Sequence, residues 1–305
     1  MKNVLITGGL GHIGSCLMRN LSDKYNIKII DNFLTQRYCS LFNLNSKIRF
    51  IEKDIKNITI KDLNNVDIVI HLAAITDAVN SFNSQIEIEE VNIKSTKRFI
   101  NICKKSKIKL FIFPSTTSVY GISTDNAYED DEKFLNPQSP YAESKLKIEN
   151  YIKKKLGKDI KYLILRLGTI FGVSNGMRFH TAINKFCYQI SLNQSLTIWK
   201  QNINQYRSYL GLNDFTKCLE HLIDNNLLWN NTFNVLTNNY KLNNIIDSIN
   251  KISEKKIKIN MVNTPLLNHC FYKVSNEKII KTGFNFEDNI EDSIKKTINL
   301  LSGLI

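Results

Sequence analysis

The stretch Val4-Leu5-Ile6-Thr7-Gly8-Gly9-Leu10-Gly11-His12-Ile13-Gly14 decides how this chain is read. An apolar run of strand length passes directly into glycines at 8, 11 and 14, and the helix-length segment Ile13–Leu21 follows. Glycines at this spacing allow a tight turn, bring backbone close to a pyrophosphate and seat the helix against the sheet, so the helix N-terminus faces the anion. A glycine triplet alone is weak evidence. Here a second apolar run, Ile27–Ile30, ends at Asp31, whose carboxylate can accept hydrogen bonds from an adenosine ribose diol. Gly8, Gly11, His12, Ile13, Asp31 and Asn32 are therefore candidate cofactor residues. A carboxylate at 31 would repel a 2′-phosphate, so NAD is expected over NADP, with Arg37 the neighbouring cation that would favour the reverse.

Outward from this unit, short apolar runs alternate with amphipathic segments. Strands are expected at Val4–Thr7, Ile27–Ile30, Ile48–Ile51, Ile68–Leu72, Leu110–Ser115 and Tyr162–Leu167, with helix-length stretches such as Ile13–Leu21 and Ile148–Leu156 between them. This alternation implies right-handed crossovers and an α/β fold, a Rossmann-type doubly wound parallel sheet covered by helices on both faces. After Gly172 the pattern turns irregular. Helices are expected at Phe179–Leu192, Asp214–Asp224 and Leu242–Ile252, a loop at Gln201–Tyr206 and a strand at Thr232–Leu236. The division expected is a cofactor domain over 1–172 and a smaller substrate-binding region over 173–305, whose strand near 232–236 returns to the sheet. No internal repeat or long linker separates them.

Composition narrows the function. Of 305 residues 43% are hydrophobic, far too many for a disordered chain. The 41 Lys and Arg against 28 Asp and Glu leave a charge of +13. Runs such as Lys153-Lys154-Lys155 and Lys295-Lys296 are interleaved with apolar residues at helical spacing, which reads as solvated helix faces. With no zinc-finger, RNP or basic-arm pattern, no nucleic-acid partner is expected. A positive field would attract an anionic small substrate. No run approaches the about 18 apolar residues of a membrane span, and Met1 leads straight into the first strand without a signal-peptide pattern, so no membrane partner and a cytoplasmic setting are expected. Cys16, Cys39, Cys103, Cys187, Cys218 and Cys270 contain no C-x-x-C pair and read as reduced core residues, with no metal site.

Further motifs follow the glycine loop in order. They are Asp54-Ile55, His71-Leu72-Ala73-Ala74, Asn92, Pro114-Ser115-Thr116-Thr117-Ser118-Val119-Tyr120-Gly121, Tyr141-x-x-x-Lys145, Arg166–Gly172, Arg207 and Ser275–Gly283. Together they resemble the extended short-chain dehydrogenase/reductase family, in its NAD-dependent epimerase/dehydratase group acting on nucleotide sugars. The resemblance implies that Asp54, with Ile55 beside it, contacts adenine. It implies that Ala73 and Ala74, after Leu72, line the cofactor channel, and that Asn92, counted with them among the cofactor residues, has a structural role in the adjacent helix. It further implies a homodimer paired through helices near Ser95–Lys104 and Lys145–Lys154.

The chemistry centres on Ser139-Pro140-Tyr141-Ala142-Glu143-Ser144-Lys145. Residues i and i+4 share one helix face, so Tyr141 and Lys145 can address one ligand. A phenol with a pKa about 10 is a poor base, and a nearby ammonium favours its phenolate. Both residues thus join the catalytic and the cofactor sets. By the resemblance Thr116 is the third catalytic residue, its hydroxyl on the reacting oxygen. Related dehydratases carry Asp-Glu where Thr117 and Ser118 stand, and related decarboxylases carry Glu at the position of Ser118. Epimerisation at C4 through a transient ketone needs no acid or base beyond Tyr141, and is the activity expected. His180 keeps a 3,5-epimerase or reductase of keto sugars in view, and a catalytically silent NAD-binding sensor is the reading from another class. Arg207 matches the family's diphosphate clamp. Thr169 stands where a substrate-facing Asn is common, and Thr117, Thr169, His180 and Arg207 form the expected substrate wall.

Overall fold

The apolar runs of the first half pair side by side in parallel. The computed structural model describes residues 1–77, 80–122, 125–253, 257–263 and 273–304. In chain order its first half holds β1 (Asn3–Thr7), α1 (His12–Asn20), β2 (Asn26–Asp31), β3 (Ile48–Glu52), β4 (Ile68–His71), α2 (Gln85–Ile88), α3 (Thr96–Lys104), β5 (Leu110–Thr116), β6 (Asn126–Ala127), α4 (Pro140–Lys155), β7 (Lys161–Leu167) and β8 (Thr169–Phe171). The second half adds α5 (Ala182–Ser191), β9 (Leu196–Trp199), β10 (Tyr206–Gly211), α6 (Leu212–Asp224), β11 (Asn231–Val235), β12 (Asn238–Lys241), α7 (Leu242–Ile252), β13 (Ile259–Val262), β14 (Lys273–Val274), α8 (Glu277–Ile280) and α9 (Ile290–Leu300).

Seven strands form one parallel sheet in the order β11-β7-β5-β4-β1-β2-β3. The order reverses between β1 and β4, and a crevice opens there at the strands' carboxyl ends, where α/β sheets bind ligands. Successive side chains on each strand enter opposite cores. Ile6, Ile70, Ile112 and Leu165 pack with Leu17 and Met18 of α1 and Phe215 and Leu219 of α6. Leu5, Val69, Phe111 and Ile164 pack with Phe99 of α3 and Ile148 and Ile152 of α4. Burying each such side chain contributes about 1.5–3 kcal/mol, which is why the period-two pattern determines the strands. A third core, with Phe171, Phe186, Leu196, Tyr209, Ile245 and Ile294, joins α5, α7 and α9 to short sheets.

Strand β11 lies parallel to β7, with Phe233 opposite Leu165. The irregular half holds more strand than the pattern suggests, because β8, β9, β12 and β13 are only three or four residues long. The stretch read as a loop at Gln201–Tyr206 opens with a 3-10 turn at Lys200–Asn202, and its last residue already begins β10. Helix α5 starts at Ala182, not Phe179. Its entry is held back because the Asn184 amide donates to Arg178 O at 2.9 Å, and His180 therefore lies ahead of the helix. Three cysteines, Cys103, Cys187 and Cys218, are buried, Cys16 is half-buried and Cys39 is exposed. Cys39 departs from the core reading because its thiol faces a surface loop, donating to Asn175 O at 3.0 Å. Cys270 lies outside the described residues. No helix among the described residues is long and apolar enough to cross a membrane.

Two buried histidines join the parts. His71 Nε2 donates to Thr96 Oγ1 at 3.0 Å, and its Nδ1 accepts from Thr7 Oγ1 at 2.7 Å, so one neutral ring links β4, β1 and α3. His12 Nε2 donates to Gly172 O at 2.8 Å, and Gly176 N donates to Ser15 Oγ at 2.8 Å, tying α1 to the segment after β8. Burial holds His71 down at about 3 and His12 at about 4. Unfolded histidine titrates near 6.5, so the unfolded chain binds more protons below that pH. Their contribution is present above about pH 6.5 and is lost as pH falls toward about 4 for His12 and about 3 for His71. Urea titrations at pH 7, 6 and 5 should show stability falling by up to roughly 1.4 kcal/mol per pH unit for each histidine. His71→Asn should flatten that slope by one proton. An unchanged slope would mean that His71 is not held neutral.

Candidate active site

A cavity of about 710 Å³ opens at the crevice between β1 and β4, within the range of cofactor and ligand sites. At one end lies the glycine loop. Gly8 has φ +69°, and a Cβ there would sit 2.6 Å from Ala73 N. A Cβ on Gly14 would lie 2.6 Å from Gly9 Cα, so only glycine lets α1 seat against the turn. Gly11 caps α1 without a side-chain hydrogen bond, and the first turn carries no acid, which leaves backbone N–H groups available for an anion. Asp31 accepts from Leu10 N at 3.1 Å and Phe33 N at 2.9 Å, retaining lone pairs for a diol. Asp54 accepts from Asn32 Nδ2 and Lys56 N, both at 2.9 Å. Gly8, Gly11, His12, Ile13, Asp31, Asn32, Asp54, Ile55, Leu72, Ala73 and Ala74 all border the cavity, although the His12 ring is spent on Gly172. Asn92 does not. Its amide exchanges hydrogen bonds with Ile75 N and O at 2.8 and 2.9 Å, shaping the cavity wall from behind.

At the other end, Ser139 caps α4 by accepting from Ala142 N, Pro140 occupies the first turn, and Tyr141 and Lys145 share one face. Lys145 Nζ donates to Pro114 O at 2.8 Å and stands 4.6 Å from the Phe113 ring centroid and 6.0 Å from that of Tyr141. Burial draws Lys145 down to about 8, opposed by Glu149. Burial likewise pushes the Tyr141 phenol up to about 12, while Arg178 and a hydrogen bond with Thr116 pull it back. Thr116 accepts from Ser118 N at 3.1 Å, which places its oxygen at the strand end. The three groups can thus move a proton at one ligand oxygen.

Behind them lies a buried polar network. Arg166 Nε reaches both Glu149 oxygens at 3.2 and 3.1 Å, and Nη2 reaches Oε2 at 2.7 Å. Glu149 also accepts from Ser115 Oγ, and Arg166 Nη1 donates to Tyr120 Oη at 2.9 Å. Tyr120 in turn donates to Asn234 Oδ1 at 2.6 Å. The network locks β5, α4, β7 and β11 together around Thr116, Tyr141 and Lys145.

The remaining wall carries Thr117, Thr169, His180 and Arg207, all bordering the cavity. Thr117 has its hydroxyl engaged with Leu167 O at 3.2 Å and Ser208 Oγ at 2.8 Å. His180 lies against the Arg178 guanidinium, with Nδ1 3.1 Å from Nε. Partial desolvation at the exposed edge of the cavity, reinforced by that cation, holds it down at about 4, so it is neutral at pH 7. Arg178 also donates to Thr76 Oγ1 and, at 2.9 Å, to Thr76 O. Arg178 is the residue that sequence reading passed over. Only its place two residues before His180 pointed to it, and a single loop arginine carries no spacing signal.

Residues 4–235 match the description of the NAD dependent epimerase/dehydratase family. The chain belongs to this family. It is similar to dTDP-D-glucose 4,6-dehydratase of Dictyostelium discoideum, 30% identical over 73% of this chain but only 56% of that protein. It is 28% identical to the human protein of the same name over 97% of this chain and 89% of that one. The solved UDP-glucuronic acid 4-epimerase of Bacillus cereus, in complex with UDP-glucuronic acid and NAD, superposes with a TM-score of 0.86 at 26% identity, covering 99% of this chain and 100% of that one.

As the family description states and the Bacillus cereus complex shows for its own chain, the cofactor is NAD. The glycine cradle, the free turn of α1 and Asp31 fit it. Calorimetry should give NAD at least about tenfold tighter binding than NADP, because a 2′-phosphate beside Asp31 sets like charges together. Asp31→Ala should narrow the gap. NADP binding more tightly to the unmodified chain would contradict that role. Tyr141→Phe should lower turnover of a nucleotide sugar by about 10²–10⁴ with NAD affinity near normal, whereas Lys145→Met should reduce both. Unchanged turnover in the phenylalanine variant would remove Tyr141 from the chemistry.

Proposed function

We propose that the chain epimerises C4 of a nucleoside-diphosphate sugar. The observation that carries this reading is the trio Thr116, Tyr141 and Lys145 set beside Thr117 and Ser118, which are hydroxyls and not carboxylates. Bound NAD supplies a reversible acceptor for the carbon-bound hydrogen and a positive ring that favours the Tyr141 phenolate. Tyr141 takes the proton of the C4 hydroxyl as the ketone forms, and returns it when the opposite face is reduced. Thr116 holds the reacting oxygen, and the Lys145 ammonium stabilises the phenolate. Arg207, on β10 at the cavity wall, suits a diphosphate through its fork of donors. The uridine nucleotide in the similar Bacillus cereus complex supports a UDP-linked substrate.

Loss of water from C5 and C6 requires a second acid and base, which Thr117 and Ser118 do not supply. His180 is neutral and held against Arg178, which favours a bystander role over 3,5-epimerisation. Incubation with a UDP-sugar and NAD in deuterium oxide should yield the C4 epimer without added reductant and without deuterium on carbon. Deuterium at C3 or C5 would assign His180 an acid/base role. A 4-keto-6-deoxy product would make the enzyme a dehydratase.

A further inference from the structure

The cavity is electrostatically unbalanced. Six cations but only three carboxylates line it among the described residues, and two of those carboxylates, Asp31 and Asp54, lie at the cofactor end. Lys53 is paired with Asp62, but Arg178 has no such partner. No carboxylate among the described residues stands within ion-pair distance of it, and Asp77 acts on it only at longer range, after Arg37 and Tyr141. Its partners are neutral. They are the hydroxyl and carbonyl oxygens of Thr76 and the imidazole of His180. Such partners replace some hydration but leave the charge uncompensated.

Its donors are also incompletely used. Arg178 directs Nε at His180 Nδ1, 3.1 Å away, and Nη2 at Nε2, 2.5 Å away. A neutral imidazole has one acceptor nitrogen, so one of these donors faces a nitrogen that cannot accept. Next to His180 in the chain, Thr181 borders the same cavity, with its hydroxyl oxygen buried and without a hydrogen-bond partner among the described residues. An uncompensated positive fork with a donor to spare on the cavity wall calls for a ligand with negatively charged acceptor atoms.

We propose that Arg178 provides an acid-binding corner of the sugar site, and that the substrate is a nucleotide sugar bearing a carboxylate, of the uronic acid class. This rests on the nucleotide-sugar reading above and adds the charge of the sugar to it. Phosphate groups have other partners in the cavity. Arg37 lies over the glycine loop, its Nη1 3.8 Å from where a Gly11 Cβ would be, and Arg207 is on β10. Arg178 instead exerts its field on the Tyr141 phenol, where the sugar carbon reacts. With the C4 hydroxyl at Tyr141, a C6 carboxylate is two carbons away. The Nη1 hydrogen that no contact among the described residues uses and the donor left without an acceptor at His180 would hold it.

The test is calorimetric titration of the NAD-loaded protein with UDP-glucuronate and UDP-glucose. The uronate should bind at least about tenfold more tightly, as a charge-assisted pair in a desolvated site requires. Arg178→Gln should bring the two affinities within about threefold, and Arg178→Lys should restore part of the preference. Equal or tighter binding of UDP-glucose to the unmodified protein, or no binding of the uronate, would overturn the proposal. So would an unchanged uronate preference in Arg178→Gln, or a loss of NAD affinity there that matched the loss for the uronate, since the charge would then serve the cofactor's phosphates. Turnover separates this from failure of the epimerase reading. A C4 epimer formed from UDP-glucose in preference to the uronate sinks only the acid-binding corner, whereas preferred uronate binding with a product other than the C4 epimer sinks only the epimerisation.

Discussion

The buried pair of Arg166 and Glu149 is the contact on which the active site depends. Both side chains are essentially inaccessible, and withdrawing two charges from water costs several kcal/mol each. The cost is offset because every strong donor and acceptor finds a partner: Glu149 receives Arg166 and Ser115, and Arg166 also reaches Tyr120 and Glu129 O. Removing either partner of such a pair typically costs about 3–5 kcal/mol. The penalty would fall on the site itself, because Ser115 adjoins Thr116 and Glu149 sits one turn beyond Lys145. A hydrophobic pair could fill the space, but it would not orient β5 against α4 through directional bonds.

A second constraint couples the two halves of the chain. The glycine loop is tied to the segment after β8 through His12 to Gly172, Ser174 Oγ to His12 O at 2.8 Å, and Gly176 to Ser15. This segment leads to Arg178 and His180. The glycine loop and the cavity wall that carries Arg178 and His180 are thus held by one set of hydrogen bonds, and the neutral state of His12 preserves them. Placing reacting groups by such a rigid scaffold is the condition for efficient proton transfer.

The sheet and the helix of Tyr141 and Lys145 were legible because they rest on local rules. Alternating burial on Leu5 and Ile6, or Phe111 and Ile112, can be read from residue type alone, and the helix carrying Tyr141 and Lys145 announces itself through its Ser139-Pro140 start. The second half resisted because β8, β9, β12 and β13 are too short for a period to emerge, and their pairings, such as Ile198 with Met261, join residues far apart in the chain.

The sequence alone determined the α/β class, the dinucleotide loop, the acid at Asp31 and the Tyr141–Lys145 spacing, since each is a relation between residues within one strand–turn–helix unit. Only the tertiary structure decided what Asn92, Thr117 and Arg178 do. Asn92 turns to Ile75, Thr117 to Ser208 and Arg178 to Thr76, across separations of 17, 91 and 102 residues. Nothing in a single sequence encodes such separations. Whether a polar side chain meets the cavity or the protein behind it is settled by which distant backbone group reaches it first, and burial then makes that partnership obligatory.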